Sequence, residues 1–210
     1  MMTYPNAAAG LKTVYQARLV GLISIVLVIV PIVQVLAVAA MLIAGFLALV
    51  GLAQCRKDDK GYRTAFNMVI AGLVTNLAAS LVSAYAGAEG FAGTCGNILS
   101  IATDVLSLAS LYFVCITTNR LLKEVAAAEN LIDRGIVVWK LNLVCTVIVI
   151  VCQLLGLIPG DISTVIAGFI AIIALVAQIV GMILYLLYLR NAYRALEAAV
   201  PPEEEVQQMM

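Results

Sequence analysis

Between Leu19 and Ala53 the chain carries no charged residue. As one α-helix this run would be roughly 50 Å long at ~1.5 Å per residue, against a bilayer hydrocarbon core of about 30 Å. A single tilted helix fits poorly. Pro31 and Gln34 stand near the middle, and a proline disfavours helical geometry at the residue before it, Val30. The run is therefore read as a tight hairpin, with one helix over about 11–30 and a second over about 33–53.

The rest of the chain is almost as apolar. Of its 210 residues 64% are hydrophobic and 11% charged, where soluble domains run at about half and about a quarter. That much apolar surface needs lipid as part of its solvent. The expectation is an all-α, polytopic membrane protein with the lipid bilayer as its main partner. Its six transmembrane helices form three hairpins, the later four lying over about 64–86, 96–118, 137–157 and 162–189. Residues 1–200 make one helical bundle, and 201–210, with Glu203, Glu204 and Glu205, a disordered acidic cytoplasmic tail. The apolar run after Arg18 is too long for the core of a cleavable signal peptide.

Charge placement tests the six-helix reading separately from helix length. The twelve Lys and Arg fall in four places: before the first helix (Lys12, Arg18), after the second, after the fourth and after the sixth. With six crossings all four lie on one side, and the positive-inside rule makes both termini cytoplasmic. The stretch from Arg120 to Asp133 reads as an amphipathic cytoplasmic helix ended by Gly135, with Leu121, Leu122, Val125 and Ile132 on one side. It and the acidic tail are the expected contact points for protein partners. A repeat is also visible. The run from Ile43 to Leu52 matches that from Ile166 to Leu175 at six of ten positions by direct count, which suggests that the first and last hairpins are duplicates with Gly45 equivalent to Gly168.

Small residues at spacing four mark helix–helix contacts in lipid. The third helix carries two such ladders, Ala71, Thr75, Ala79, Ser83 and Gly72, Asn76, Ser80, Ala84, and is expected to sit centrally. The fourth helix is the most polar. Asp104 is the one ionisable residue deep inside an expected span, and an intramembrane acid is costly enough to face a polar interior. The candidate site is the cluster of Asp104, Asn76, Ser80, Ser100, Thr103 and Ser107, with Asp104 facing the third helix. Asn142, Gln153 and Gln178 are secondary candidates, also readable as glue between helices. The cluster is either a structural hydrogen-bond knot or a proton or cation site, and no basic residue is expected at its depth.

The chain has no histidine, which removes Ser-His-Asp and Cys-His catalysis and the HExxH zinc site. Its five cysteines, Cys55, Cys95, Cys115, Cys145 and Cys152, form no CxxC and read as small apolar residues. No enzyme, cofactor, metal or nucleic-acid partner is expected. The segments Gly10–Ala17, Leu49–Leu52 and Lys57–Phe66 resemble a group of multi-pass membrane proteins of anaerobic, often gut-associated, bacteria that have no assigned activity. The resemblance covers the first third of the chain. It implies a bacterial inner membrane and brings no functional residue with it. The functional expectation is a non-enzymatic structural or interaction protein. The alternative is a small transporter or channel for ions, protons or a small solute that uses the cluster around Asp104.

Overall fold

Pro5 opens the first helix in the computed structural model, and part of what holds it there lies outside that helix. Proline suits the first helical position because its missing N–H would have no partner there. The free backbone N–H of Ala7 finds one across the bundle, donating to Asp58 Oδ2 at 2.7 Å, and the Asn6 side-chain amide Nδ2 donates to Asp58 Oδ1 at 2.7 Å. The neighbouring Asp59 does the same for another helix, accepting from Gly61 N at 2.6 Å. Two carboxylates of one turn thus cap two helix starts, where the helix dipole favours negative charge. Asp59 also pairs with Arg120, and Glu124 accepts from Tyr4. That contact with Glu124 is the largest cause holding the Tyr4 hydroxyl's pKa above its ordinary value.

The structure describes residues 3–28, 34–86, 90–126, 129–155 and 161–200. Every element among them is an α-helix: α1 Pro5–Val28, α2 Gln34–Cys55, α3 Gly61–Ala86, α4 Gly90–Glu124, α5 Glu129–Leu155 and α6 Asp161–Ala198. Four stretches are long and apolar enough to cross a membrane, Gly61–Val82, Gly93–Glu124, Glu129–Leu155 and Gly168–Ala198. Ala39–Cys55 is a shorter apolar helix, and α1 carries Lys12, Gln16 and Arg18 along its length. The turn expected at Pro31 and the acidic tail lie outside the described residues.

Each helix packs on its neighbours in the chain, and α1 meets α6, so the six close into a ring; α4 also touches α6 across it. The tightest approach is between α1 and α2. A methyl group placed on Gly51 would lie 2.7 Å from Gly10 O, and one on Gly10 2.8 Å from Cys55 N. Only bare backbone fits there. Because the start of α1 meets the end of α2, the two run antiparallel. The third helix is not central as its small-residue ladders suggested. It lies in the ring between α2 and α4, and most of its Gly61–Val82 stretch is at the surface. The ladders serve one side chiefly, with Gly72 set against Leu106 of α4.

The core sits at one end of the ring, where α1, α3 and α5 begin and α2, α4 and α6 end. Leu11, Cys55, Tyr62, Cys115, Leu122 and Leu189 are fully enclosed there. Most buried polar groups at this end are matched, Gln54 Oε1 being left without a partner. Tyr62 Oη and Thr118 Oγ1 share a hydrogen bond at 2.9 Å, Tyr188 Oη donates to Asn119 Oδ1 at 2.8 Å, and Asn119 Nδ2 donates to Ile132 O at 3.1 Å. The opposite half of the ring exposes large apolar side chains, Leu42 at 73%, Phe46 at 68% and Phe169 at 68%. Such a surface suits lipid.

The expected amphipathic helix over 120–133 does not form. Helix α4 ends at Glu124, Ala126 adopts a left-handed backbone with φ 54°, and α5 starts at Glu129. Leu121, Leu122, Val125 and Ile132 do share a side, but they spend it on the core. Gly135 ends no helix. It lies inside α5, where a methyl group would fall 2.8 Å from Tyr188 Cε2 and closer still to Asn119 Oδ1.

Candidate functional site

On the far side of the core the helices border two partly open cavities. One, of about 270 Å³, lies among α4, α5 and α6. The other, of about 300 Å³, is bounded chiefly by α1, α2, α3 and α4. Arg18, Ser107 and Met182 line both, so the two are halves of one hollow divided by these side chains.

Helix geometry decides which residues reach which half. Successive residues turn by about 100°. Thr103 and Asp104 therefore diverge, Thr103 lining the second half with Asn76 and Asp104 the first half with Asn142 and Gln178. Ser107 borders both. Asp104 thus does not bond to α3 as expected from sequence. Its Oδ2 accepts from Gln153 Nε2 of α5 at 3.0 Å. Ser80 and Ser100 line neither cavity; Ser80 is exposed and donates to its own helix at Asn76 O, 2.9 Å. Thr103 likewise donates to Leu99 O at 3.0 Å. The three secondary candidates come to the front instead. Gln153 holds Asp104, while Asn142, which donates to Val138 O at 2.8 Å, and Gln178 line the same cavity as Asp104.

Arg18 is the residue that sequence reasoning missed. Sequence spacing puts it ahead of the first helix with the flanking basic residues. The helix begins at Pro5, so Arg18 lies 18 − 5 = 13 residues in, about 20 Å along it. The signal was available: Ala7, Leu11 and Val14 are buried on one stripe of α1, and Arg18 continues it at helical spacing. The guanidinium sits 5.8 Å over the Tyr185 ring. Its Nε is buried and has no hydrogen-bond partner. The ion pairs among the described residues, Lys12–Glu197 and Arg120–Asp59, involve neither Arg18 nor Asp104. Gln153 Oε1 is also buried without a partner.

The hollow therefore holds one cation and one carboxylate that do not neutralise each other, set among amides and hydroxyls. Such an arrangement is costly in a low-dielectric interior unless water or a ligand completes it. Among the described residues no three Cys, Asp or Glu side chains gather as metal ligands. All five cysteines are free thiols, and Cys95 is the one with appreciable exposure. Fold and site together define an all-helical protein with apolar helices of membrane-crossing length around a polar, charged hollow. Comparison with family models, with curated proteins and with solved structures finds no match.

Proposed function

We propose that this chain is a six-span membrane protein, its helices crossing as three hairpins with both termini cytoplasmic, and that its hollow binds a small polar solute. The class is that of a small transporter or channel, and a bacterial inner membrane is the setting the sequence resemblance implies. The observation that carries the reading is the unneutralised pair Arg18 and Asp104 lining one cavity inside a ring of apolar helices. Charges inside a membrane bundle ordinarily mark a ligand or ion path. A cavity of about 270 Å³ lies just below the ~300 Å³ at which drug-sized ligand pockets start, which suits a smaller solute. The competing reading is an interaction protein that acts through the 120–133 stretch and the acidic tail; the apolar side of 120–133 packs in the core, and the tail lies outside the described residues.

The test is whether water reaches the hollow. In a Cys95→Ser background the remaining native thiols are buried, so a cysteine introduced at Ser107 reports on the hollow and one at Leu42 on the outer apolar surface. A membrane-impermeant maleimide applied to the protein in lipid nanodiscs labels Ser107→Cys and spares Leu42→Cys. If Ser107→Cys is as inert as Leu42→Cys, the hollow is dry and the solute-binding reading fails.

A further inference from the structure

We propose that the hollow binds a small zwitterion, an amino acid in the chemical sense, with its carboxylate on Arg18 and its ammonium group at Asp104. The inference rests on the solute-binding reading above and adds the ligand class. Along α4 the cavity runs from Asp104 to Leu111, 111 − 104 = 7 residues or about 10 Å. Helices α4 and α6 both end at the core, so Leu111 and Tyr185 mark the inner end and Asp104 and Leu175 the outer end. Arg18 stacks on Tyr185 and so belongs to the inner end. The two charges face the same space from opposite ends and are too far apart to pair with each other.

The charge balance selects the ligand. A simple anion on Arg18 would add negative charge beside Asp104, and a simple cation at Asp104 would add positive charge beside Arg18. At half-buried groups such as these either repulsion is screened less than in bulk water. A zwitterion answers both groups and brings no net charge into the bundle. The forked guanidinium matches a carboxylate with two parallel N–H donors, and Arg18 enters none of the ion pairs among the described residues. Gln153 steadies Asp104 through one oxygen, Oδ2, and Asp104 faces the cavity. Between the two ends Leu108 and Ile179 supply an apolar wall suited to the short carbon chain of such a molecule.

Binding is measured on the full chain in nanodiscs by calorimetry, with glycine, β-alanine, γ-aminobutyrate and leucine as zwitterions and propionate and propylamine as half-ligands. At least one zwitterion binds at millimolar concentration or better, and more tightly than either half-ligand. Arg18→Gln and Asp104→Asn each weaken that zwitterion by about tenfold or more. Propionate binding falls with Arg18→Gln and survives Asp104→Asn. Should Arg18→Gln not fold, Asp104→Asn and Arg18→Lys decide: Asp104→Asn keeps the shape and must lose the zwitterion while sparing propionate, and Arg18→Lys must weaken both by losing the forked donors. The proposal is overturned if none of the four zwitterions binds, or if Asp104→Asn weakens zwitterion and propionate equally. The labelling of Ser107→Cys separates the two failures. A labelled hollow without zwitterion binding discards only the ligand class, whereas an unlabelled one discards the solute site itself.

Discussion

At the scale of single residues, glycines and aspartates do work in this chain that their spacing alone does not reveal. Gly135 and Gly168 have the same composition value, but their surroundings are opposite. A methyl group at Gly135 would collide with Asn119 and the Tyr188 ring, whereas at Gly168 nothing lies within 4 Å. Gly135→Ala should therefore cost about 1–3 kcal/mol through overpacking. Gly168→Ala should be neutral or gain up to about 1 kcal/mol from helix propensity. Thermal unfolding in detergent checks both, and equal melting temperatures for the two variants would remove the packing role given to Gly135. The turn at Lys57–Asp58–Asp59–Lys60 was legible from sequence as a charged connection. Its role as a double cap was not, because Asp58 and the start of α1 are 51 residues apart between Ala7 and Asp58 and only the fold brings them together. Arg18 reads from sequence as a residue ahead of the first helix for a related reason: its meaning depends on where α1 begins, and helix starts are set by caps that here come from another part of the chain.

At the scale of helices, the all-helical class was legible in the sequence, and of the six spans expected there the described residues show four stretches of membrane-crossing length and apolarity, because mean apolarity over a long window is a local property. Which face of each helix meets which neighbour is not local. Asp104 illustrates the limit. Cost argued that it faces protein, and it does accept a hydrogen bond from Gln153. The partner helix was misjudged because α3 offers polar side chains at that depth, yet one helical step separates the α3-facing Thr103 from the α5-facing Asp104. A double-mutant cycle on Asp104→Leu and Gln153→Leu should return a coupling of about 0.6 kcal/mol, the mean for polar contacts between membrane helices, and no more than about 1.7 kcal/mol. The same cycle on Asp104→Leu and Asn76→Leu should return none. Coupling to Asn76 and not to Gln153, read from unfolding in mixed micelles, would reverse the assignment. The duplication suggested by the matched runs at Ile43–Leu52 and Ile166–Leu175 stays a reading of sequence. Gly45 has Leu73 as its near neighbour at 3.9 Å and Gly168 has open surroundings, so the paired glycines do not share a packing role.

At the scale of the whole molecule, the proposed topology places the packed core at the cytoplasmic boundary and the apolar, exposed half of the ring across the bilayer. Thiol labelling from each side tests it. Cys95 should react from outside. Cys55 cannot serve as the inner reporter, because it is fully enclosed between α1 and its own helix end. A cysteine at the exposed Lys57 replaces it and should react only from inside, and outside labelling at Lys57→Cys would invert or break the six-span arrangement. A ring packed at one end has a further mechanical consequence. Helices packed on a common buried core at one end and bordering a hollow at the other can change their spread around the hollow without loosening the core. The width of the hollow is then a variable set by the surrounding bilayer and by whatever fills it, while the cross-section at the base is constant. Spin-label pairs make this measurable. A pair at Arg56 and Lys123 should give one narrow distance distribution in every lipid, and a pair at Leu42 and Val105 a broader one that shifts with bilayer thickness. In the proposed topology the packed cytoplasmic end is the fixed frame, and the bilayer around the other half sets the aperture.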